Sequence, residues 1–464
     1  MSLELAVLAA VLGAALFTLG MRRWREAIPA ALLLAVFEGA ARKWAFPDYG
    51  QFIYLAKDVL LLGAYAGFFL PRVLRHQPLA LRHPATTPLV LFGLVAVLEL
   101  ANPLLPNLAI GLFGLKAYLV YAPLLYLVPC AFRETAELRR FLMTFALLAF
   151  VPLTLGIVQF WAPPDSVLNR YAWEEEPTGI ATFAETGKVR ITGTFSFISG
   201  HTVYLTLIVL IGVALIGVER GRQRLTIGAV LALAAANLFM TGSRGPFLAL
   251  GASVPALLVL AGFTPRRVSL ARAAVPGVAV LAAVVLAINA FPDAVAAFRE
   301  RVEANEDVPG RVLGIVREPL WALGEAGVIG YGIGTTHQAT VFLGGSGDVV
   351  PLAEGEWERI ILEVGPIGFV LVLLTRLLVI ARAWQAWRAR PEGDSRALHA
   401  VALTFVLASF PINLVFNHTA AIFYWFMAGV ALVSSGSLMR RTPTASAHHP
   451  APLTQPWSGQ WHSR

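Results

Sequence analysis

The chain alternates between long apolar runs and short polar clusters from one end to the other. Most apolar runs are about twenty residues long, and a helix of that length crosses the roughly 30 Å hydrocarbon core of a bilayer. The pattern predicts up to thirteen spans. They lie near residues 3–20, 27–44, 53–71, 87–103, 108–130, 140–161, 197–218, 224–241, 245–262, 272–291, 357–381, 398–416 and 419–437.

The second run is short and ends in the charged residues Arg42 and Lys43, so it is either a crossing helix or a re-entrant one. The predicted number of transmembrane helices is therefore about 12–13. The first run has no basic segment before it and no clear cleavage site after it, which favours a retained helix over a signal peptide.

Composition agrees with this pattern. Hydrophobic residues make up 57% of the 464 residues and charged residues 14%, whereas soluble domains carry about 25% charged residues. The predicted fold class is all-α: a polytopic membrane protein in which residues 1–441 form the transmembrane domain. Residues 442–464, rich in Pro, Ser, Thr and His, are predicted to be a disordered cytoplasmic tail.

The net charge of +8 follows the predicted loops. Arginines cluster in every second connection, which is the positive-inside pattern of membrane proteins and does not indicate a nucleic-acid partner. The pattern places the N-terminus outside and the C-terminal tail inside; the N-terminus moves inside if the second run does not cross. Two long extracytoplasmic loops then lie near residues 162–197 and 292–356, and the second is predicted to contain short helices on the membrane surface.

Arg244 is the first residue of functional interest. It is the only charged residue between Arg224 and Arg266, and each apolar flank is about long enough to cross a bilayer. A guanidinium stays charged and is unfavourable in lipid, so it must face water, a partner or an anionic ligand. Taken alone, the residue could equally extend to the lipid headgroups or pair with a loop carboxylate.

Other arginines are predicted on the same outer side: Arg190 before the seventh span, and Arg311 and Arg317 in the second long loop. Their planar forks suit anionic oxygens, and a lipid diphosphate is the anion most naturally presented at this depth. We predict that these three residues bind substrate together with Arg244 and His337. The alternative for Arg190 is a solvated loop charge, and for His337 a surface loop histidine.

The segment that leads into the eleventh span carries Glu354 and Glu356. A carboxylate beside the arginines could take a proton from a sugar hydroxyl, so both glutamates are predicted as catalytic, with Arg244. The alternative is a charge cluster at a helix start, where acidic residues are favoured. The acidic pair also suggests a divalent cation, but one such pair is a weak signal and no metal site is predicted. The run Gly330-x-Gly332-x-Gly334 is predicted to form a tight turn, because no strand–helix unit surrounds it as in a dinucleotide site.

Four short segments, in order along the chain, carry a resemblance to a known family. They are Arg190-Ile-Thr-Gly-Thr-Phe195 before an apolar span, Thr241-Gly-Ser-Arg-Gly245, the large-loop pattern of Arg311, Trp321 and Gly330-Tyr-Gly-Ile-Gly334, and Glu363-Val-Gly365. On these motifs the chain resembles the O-antigen ligase and polymerase superfamily of bacterial envelope glycan enzymes. The segments Glu38-Gly-Ala-Ala-Arg-Lys-Trp44 and Lys57-Asp58 are similar to exopolysaccharide polymerase-like members.

The resemblance implies a membrane-embedded glycosyltransferase of the C type in the bacterial inner membrane, with its active site facing the periplasm. The implied donor is a glycan on undecaprenyl diphosphate, and no cofactor or nucleotide sugar is expected. Arg190, Arg244 and Arg311 would stabilise the leaving diphosphate. Other implied partners are membrane lipids, chain-length regulators and flippase proteins. Family ligases usually carry a histidine nine residues before the glutamate of the Glu-x-Gly motif; here that residue is Glu354.

Two alternatives to a polymerase stay open. A ligase would use the same donor but transfer the glycan to lipid A core. A lipid-glycan flippase or other transporter belongs to a different class, which usually shows repeated halves and charges near the bilayer midplane. The predicted charges gather at one face and the chain lacks obvious repeats, which favours the enzyme.

Overall fold

The structure is a computed structural model that describes residues 3–79, 81–172, 180–184, 186–262, 270–303, 308–344, 351, 353–390 and 394–433. The predicted disordered tail, 442–464, lies outside them. Within the described residues the chain is helical and contains no β-strand, as predicted. The α-helices are α1 (Leu3–Arg22), α2 (Trp24–Ala40), α3 (Gly50–Leu74), α4 (Thr86–Leu98), α5 (Leu108–Leu119), α6 (Leu124–Ala131), α7 (Thr135–Leu148), α8 (Phe150–Trp161), α9 (Ile198–Val218), α10 (Gly221–Met240), α11 (Gly245–Leu260), α12 (Leu270–Ala290), α13 (Pro292–Glu303), α14 (Val308–Glu325), α15 (Glu356–Arg388), α16 (Asp394–Ala408) and α17 (His418–Val430).

Several helices suit a membrane. Within the described residues, five helices are long and apolar enough to cross a bilayer, or seven if two bent helix pairs each count as one span. Further apolar helices in α1, α4, α11 and α16 are shorter. The chain thus has the build of a multi-pass helical membrane protein. The count is lower than the predicted 12–13 mainly because the helices formed by several other apolar runs have fewer than 18 residues. In the two bent pairs, α5 and α6 meet at 42°, and α12 and α13 at 96°.

α9 lies at the centre of the bundle. Its sequence is apolar on every side, and nearly all of its residues are buried. A helix that is apolar all round needs neighbours on all its faces. α9 packs against α10, α11, α12 and α16, and so it holds the Arg190–Phe195 segment that precedes it in a fixed place.

α1 and α3 pack closely through glycines. A Cβ atom on Gly63 or Gly67 of α3 would overlap the backbone of α1 at Phe17 or Met21, and one on Gly20 would overlap α3. Small residues spaced four apart allow such close contact between membrane helices. The contact fixes α3, which carries Tyr54, Lys57 and Asp58.

α15 is folded sharply at Gly365, so the predicted span 357–381 is not one straight helix. Gly365 has φ 65° and ψ −178°, and Pro366 follows it. Arg376 pairs with Glu356, twenty residues earlier, whereas a straight helix would separate the two residues by about 30 Å. Residues 356–364 therefore fold back along 366–388, which is itself long enough to cross a bilayer.

The break in α15 also fixes the glycine-rich loop, as Pro366 has no N–H to give the Leu362 carbonyl. Tyr331 N donates to that carbonyl at 2.7 Å, and Gly332 N donates to the Glu363 carbonyl at 3.1 Å. Gly330, Gly332 and Gly334 have φ of 75°, 103° and 88°. These left-handed values confirm the predicted tight turn and suit glycine.

Candidate active site

Helix-end signals shape the turn formed by residues 241–245, between α10 and α11. α10 ends where Gly242 takes a left-handed φ of 62°, as glycine commonly does after a helix. α11 then begins at Gly245, with Pro246 in its first turn. The turn leaves the last carbonyls of α10 without helical N–H partners.

Three arginines gather at this turn. Arg190 Nε donates to the Thr241 carbonyl at 2.9 Å. Arg301, near the end of α13, donates from Nε to the Gly242 carbonyl at 3.1 Å, and Arg244 donates to the Arg301 carbonyl. The structure thus brings the predicted Arg190 and Arg244 together and adds Arg301, which the sequence interpretation missed.

The arginine cluster concentrates positive charge in a partly buried place. Burial lowers the pKa of Arg190 from its ordinary value, and the neighbouring Arg301 lowers it further. A guanidinium carries five N–H donors, and the hydrogen bonds named for each arginine use one or two of them. Bound anionic oxygens would relieve the repulsion between the like charges.

A polar cavity of about 300 Å³ lies at the start of α9. It combines aromatic rings with groups that donate or accept protons, and its wall includes one stretch directly after the Arg190–Phe195 motif. The residues that line it are Glu38, Arg42, Tyr54, Phe113, Tyr171, Phe195, Ser196, Phe197, Ser199, Gly200, His337, Gln338, Phe342, Phe416, Asn417, His418 and Thr419.

Buried ion pairs support one side of the cavity. Lys57 Nζ lies 2.7 Å from Glu38 Oε2, and Lys116 Nζ lies 2.9 Å from Asp58 Oδ2. Tyr121 donates to the other oxygen of Asp58 at 2.6 Å. Charges inside a membrane domain are unfavourable unless paired or functional, so these pairs mark the cavity as the polar centre of the bundle.

Arg42 and Lys43 follow α2 on a short π-helix, Ala41–Ala45, a form that is frequent at functional sites. Arg42 donates to Ser196 Oγ at 3.0 Å, and Lys43 Nζ donates to the Gly193 carbonyl at 2.8 Å. A Cβ on Gly39 would lie 2.5 Å from the Phe195 carbonyl carbon. The second half of the Arg190–Phe195 motif therefore holds Lys43, and Ser196, directly after the motif, holds Arg42 against the cavity.

His337 and His418 lie side by side in the cavity wall, with ring centroids 5.4 Å apart. The Tyr54 hydroxyl is hydrogen-bonded to His418 Nδ1. Burial lowers the pKa of His337 to about 3, with smaller contributions from Lys116 and Arg359. His337 thus lies in the cavity wall as a neutral hydrogen-bonding group.

Cations surround the ring of Tyr54. The Nζ atoms of Lys116 and Lys57 lie 3.9 and 4.4 Å from its centroid, and the Arg42 guanidinium carbon lies 5.2 Å from it. Each contact is attractive, because the ring face is electron-rich. Two of these cations, Lys57 and Lys116, are paired with Glu38 and Asp58, so Arg42 is the cation that faces the cavity beside the Tyr54–His418 pair.

An apolar groove of about 720 Å³ lies between α9, α11 and α16. Gly245 and Pro246, directly after Arg244, line one part of it. Ser199 and Asn417 line both the groove and the polar cavity. The groove therefore connects the arginine turn with the cavity.

The structure does not bring Glu354 or Glu356 to the cavity wall. Glu354 is exposed, and its carbonyl accepts from Asn413 at 3.4 Å. Glu356 is buried, pairs with Arg376 and accepts from the Val415 N–H at 3.1 Å. This placement fits the alternative of a structural charge at a helix start.

Glu363, of the Glu-x-Gly motif, also has a structural role. It accepts from the Thr336 N–H at 2.9 Å and from the Tyr118 hydroxyl at 2.9 Å. These bonds fasten the loop immediately before His337 to α15 and α5. The motif therefore acts on the cavity through the loop that it holds.

The remaining predicted arginines lie on α14, within the second predicted loop. Arg317 is exposed and is not among the described residues that line the cavity. The side chain of Arg311 is outside the described part of the structure. Within the described ranges, no three His, Cys, Asp or Glu side chains are grouped so as to hold a metal ion.

Some functional residues carried a usable sequence signal. Glu38, Arg42 and Lys57 are charged residues inside predicted spans, which is itself a sign of function. His418, at the start of the last span, had no motif around it. Arg301 could not be found without the bend between α12 and α13.

The chain matches no protein-family model and no curated protein.

Proposed function

We propose that the chain is a membrane-embedded glycosyltransferase that polymerises undecaprenyl-diphosphate-linked oligosaccharide repeat units. The observation that carries the proposal is the joint arrangement of three parts. Three arginines meet at one turn, an aromatic-walled polar cavity lies near it, and an apolar groove touches both. A lipid diphosphate sugar has the same three chemical parts.

The arginine cluster fits the diphosphate of the donor. Arg190, Arg244 and Arg301 would donate to its oxygens, and the first N–H groups of α11 face the same turn. When the bond from the anomeric carbon to the diphosphate breaks, negative charge grows on the leaving oxygen. Arginines fixed beforehand stabilise that charge in the transition state.

The cavity fits the sugars. Its volume lies at the lower end of the range for small-molecule sites, roughly 300–1,000 Å³. Aromatic rings such as Tyr171 and Phe197 offer flat apolar faces, while Ser196, Asn417 and His337 offer hydrogen bonds to hydroxyls. The apolar groove would hold the isoprenoid chain next to the diphosphate.

The proposed place of the reaction is the outer face of the bacterial inner membrane, where the acceptor is a second lipid-linked repeat unit. Chain-length regulators and a flippase are proposed partners. Arg42 in the cavity wall, apart from the arginine cluster, offers a cationic partner to a second anionic lipid, which supports a lipid-linked repeat unit as the acceptor.

Replacing Arg244 tests the proposal in cells. Arg244→Ala should abolish glycan polymerisation while the protein still inserts and accumulates. Arg222→Ala is the matched control, because Arg222 is exposed at the opposite end of α10. Polymer of normal length in the Arg244→Ala strain, at equal protein level, would remove the arginine turn from the mechanism.

A further inference from the structure

The proposed transfer needs a group that takes the proton of the acceptor hydroxyl. Among the described residues that line the cavity, Glu38 is the one carboxylate. It lies on α2, one helical turn before Arg42, so both residues reach the same cavity. The side chain of Glu38 is 8% exposed, and Lys57, itself fully buried, donates to its Oε2 at 2.7 Å.

Glu38 differs from the histidines of the same wall in the charge that it carries after it accepts a proton. A histidine that accepts a proton becomes a cation, and here it would do so close to Arg42, Lys57 and Lys116. Burial lowers the pKa of His337 to about 3, with smaller contributions from Lys116 and Arg359, so this histidine holds a proton weakly. A carboxylate that accepts a proton becomes neutral, so Glu38 adds no positive charge.

The hydrogen bonds of Glu38 leave it able to act. A carboxylate has about four lone-pair positions, and Lys57 occupies one of them. Lys57 also donates to the Tyr54 carbonyl at 2.9 Å, so its ammonium is fixed from two sides. Lys57 is thus a positioning residue, which holds the carboxylate at the wall.

We propose that Glu38 is the general base of the transfer. This inference rests on the proposed function. The acceptor O–H bond breaks and its proton goes to the Glu38 carboxylate. The acceptor oxygen forms a bond with the anomeric carbon of the donor, and the bond from that carbon to the lipid diphosphate breaks. The leaving diphosphate keeps the electron pair, and Glu38 later returns its proton to water.

The assignment replaces both glutamates that the sequence suggested. Glu354 is exposed away from the cavity wall, and Glu356 is held by Arg376 and the Val415 N–H. Neither lines the described cavity. The three carboxylates can therefore be compared directly by the same substitution.

The test uses the full-length protein in proteoliposomes with lipid-diphosphate-linked repeat units, and measures kcat, KM and chain growth. Glu38→Gln should lower kcat by about 100- to 10,000-fold, the usual contribution of a general base. KM should stay nearly unchanged, because the proton is taken only in the transition state. Glu354→Gln should keep wild-type rates. Glu99→Gln is a buried control, since Glu99 bonds to Asn102 at 2.7 Å and does not line the cavity.

Glu38→Asp separates catalysis from folding, because it keeps the carboxylate but shortens its arm. At equal amounts of folded protein, it should be at least about tenfold faster than Glu38→Gln. Equal rates for these two variants, or a large loss of kcat in Glu354→Gln instead, would overturn the role of Glu38 while leaving the polymerase intact. If the wild-type protein does not lengthen the glycan chains at all, both the proposed function and this inference are overturned.

Discussion

The buried pair of Glu356 and Arg376 gives the most direct test of how the structure reassigns the predicted glutamates. The two side chains are 0% and 4% exposed, and the Trp357 ring lies 4.6 Å from the Arg376 guanidinium carbon. The pair joins the two halves of the folded α15. We therefore expect Glu356→Gln to act on stability and to leave the chemical step almost unchanged.

The expected magnitude follows from this burial. Removing one partner of a buried ion pair leaves an uncompensated charge and costs about 3–5 kcal/mol of unfolding free energy. Unfolding entropy is about 2.1 cal/mol/K per residue, which is about 1 kcal/mol/K for a chain of 464 residues. The melting temperature should therefore fall by about 3–5 °C.

The assay is thermal unfolding of purified protein in one detergent, for Glu356→Gln, Arg376→Met and the double variant. The double variant should lose less than the sum of the single variants, because neither charge is then left alone. Glu354→Gln, two residues away and exposed, is the control and should change stability by less than about 0.5 kcal/mol. An unchanged melting temperature in Glu356→Gln, with kcat reduced a hundredfold, would refute the structural role and restore Glu356 as the base.

Gly330→Ala should destabilise the loop that carries His337 and lower activity, because a Cβ there would lie 2.6 Å from the Glu363 carbonyl oxygen at a φ of 75°. The left-handed backbone alone costs about 1–2 kcal/mol. Gly324→Ala is the control, because Gly324 lies in open space on α14. Equal melting temperatures for the two variants would contradict the close packing at Gly330. Because burial lowers the pKa of His337 to about 3 from 6.5, the unfolded chain binds a proton that the folded chain does not as the pH falls below 6.5. Wild type should therefore lose up to about 1.4 kcal/mol of unfolding free energy per pH unit towards pH 3 from this group, and His337→Gln should have a shallower slope in pH-dependent denaturation; parallel slopes would show that His337 is not buried. Chain growth should continue at the same rate in EDTA, and a loss of activity that Mg²⁺ restores would mean that the reaction needs a metal ion.

The helical class and the meeting of Arg190 with Arg244 were predictable from the sequence. The class follows from the length of the apolar runs, which is a local property. Arg190 and Arg244 stand near the ends of predicted spans. Because successive spans cross the membrane in opposite directions, both ends were predicted on the outer side of the membrane. Arg301 escaped this reasoning because α13 turns through 96° from α12, and hydropathy carries no information about that direction.

The glutamates show where a motif misleads. Glu354 and Glu356 stand at a helix start near the predicted arginines, and sequence spacing alone could not tell a base from a buried pair. The deciding contact joins Glu356 to Arg376 across the fold at Gly365, which hydropathy had merged into one span. Glu38 was visible as part of a motif, but its neighbours in the cavity come from distant helices.

Chain growth by the purified protein is the decisive measurement of polymerase activity. The protein is reconstituted in vesicles that contain lipid-diphosphate-linked repeat units and lipid A core, and both the products and the released lipid diphosphate are counted. We expect a ladder of longer glycans, with one lipid diphosphate released for each new glycosidic bond. Movement of intact lipid-linked glycan across the vesicle membrane without any new bond would contradict it, as would transfer to lipid A core alone.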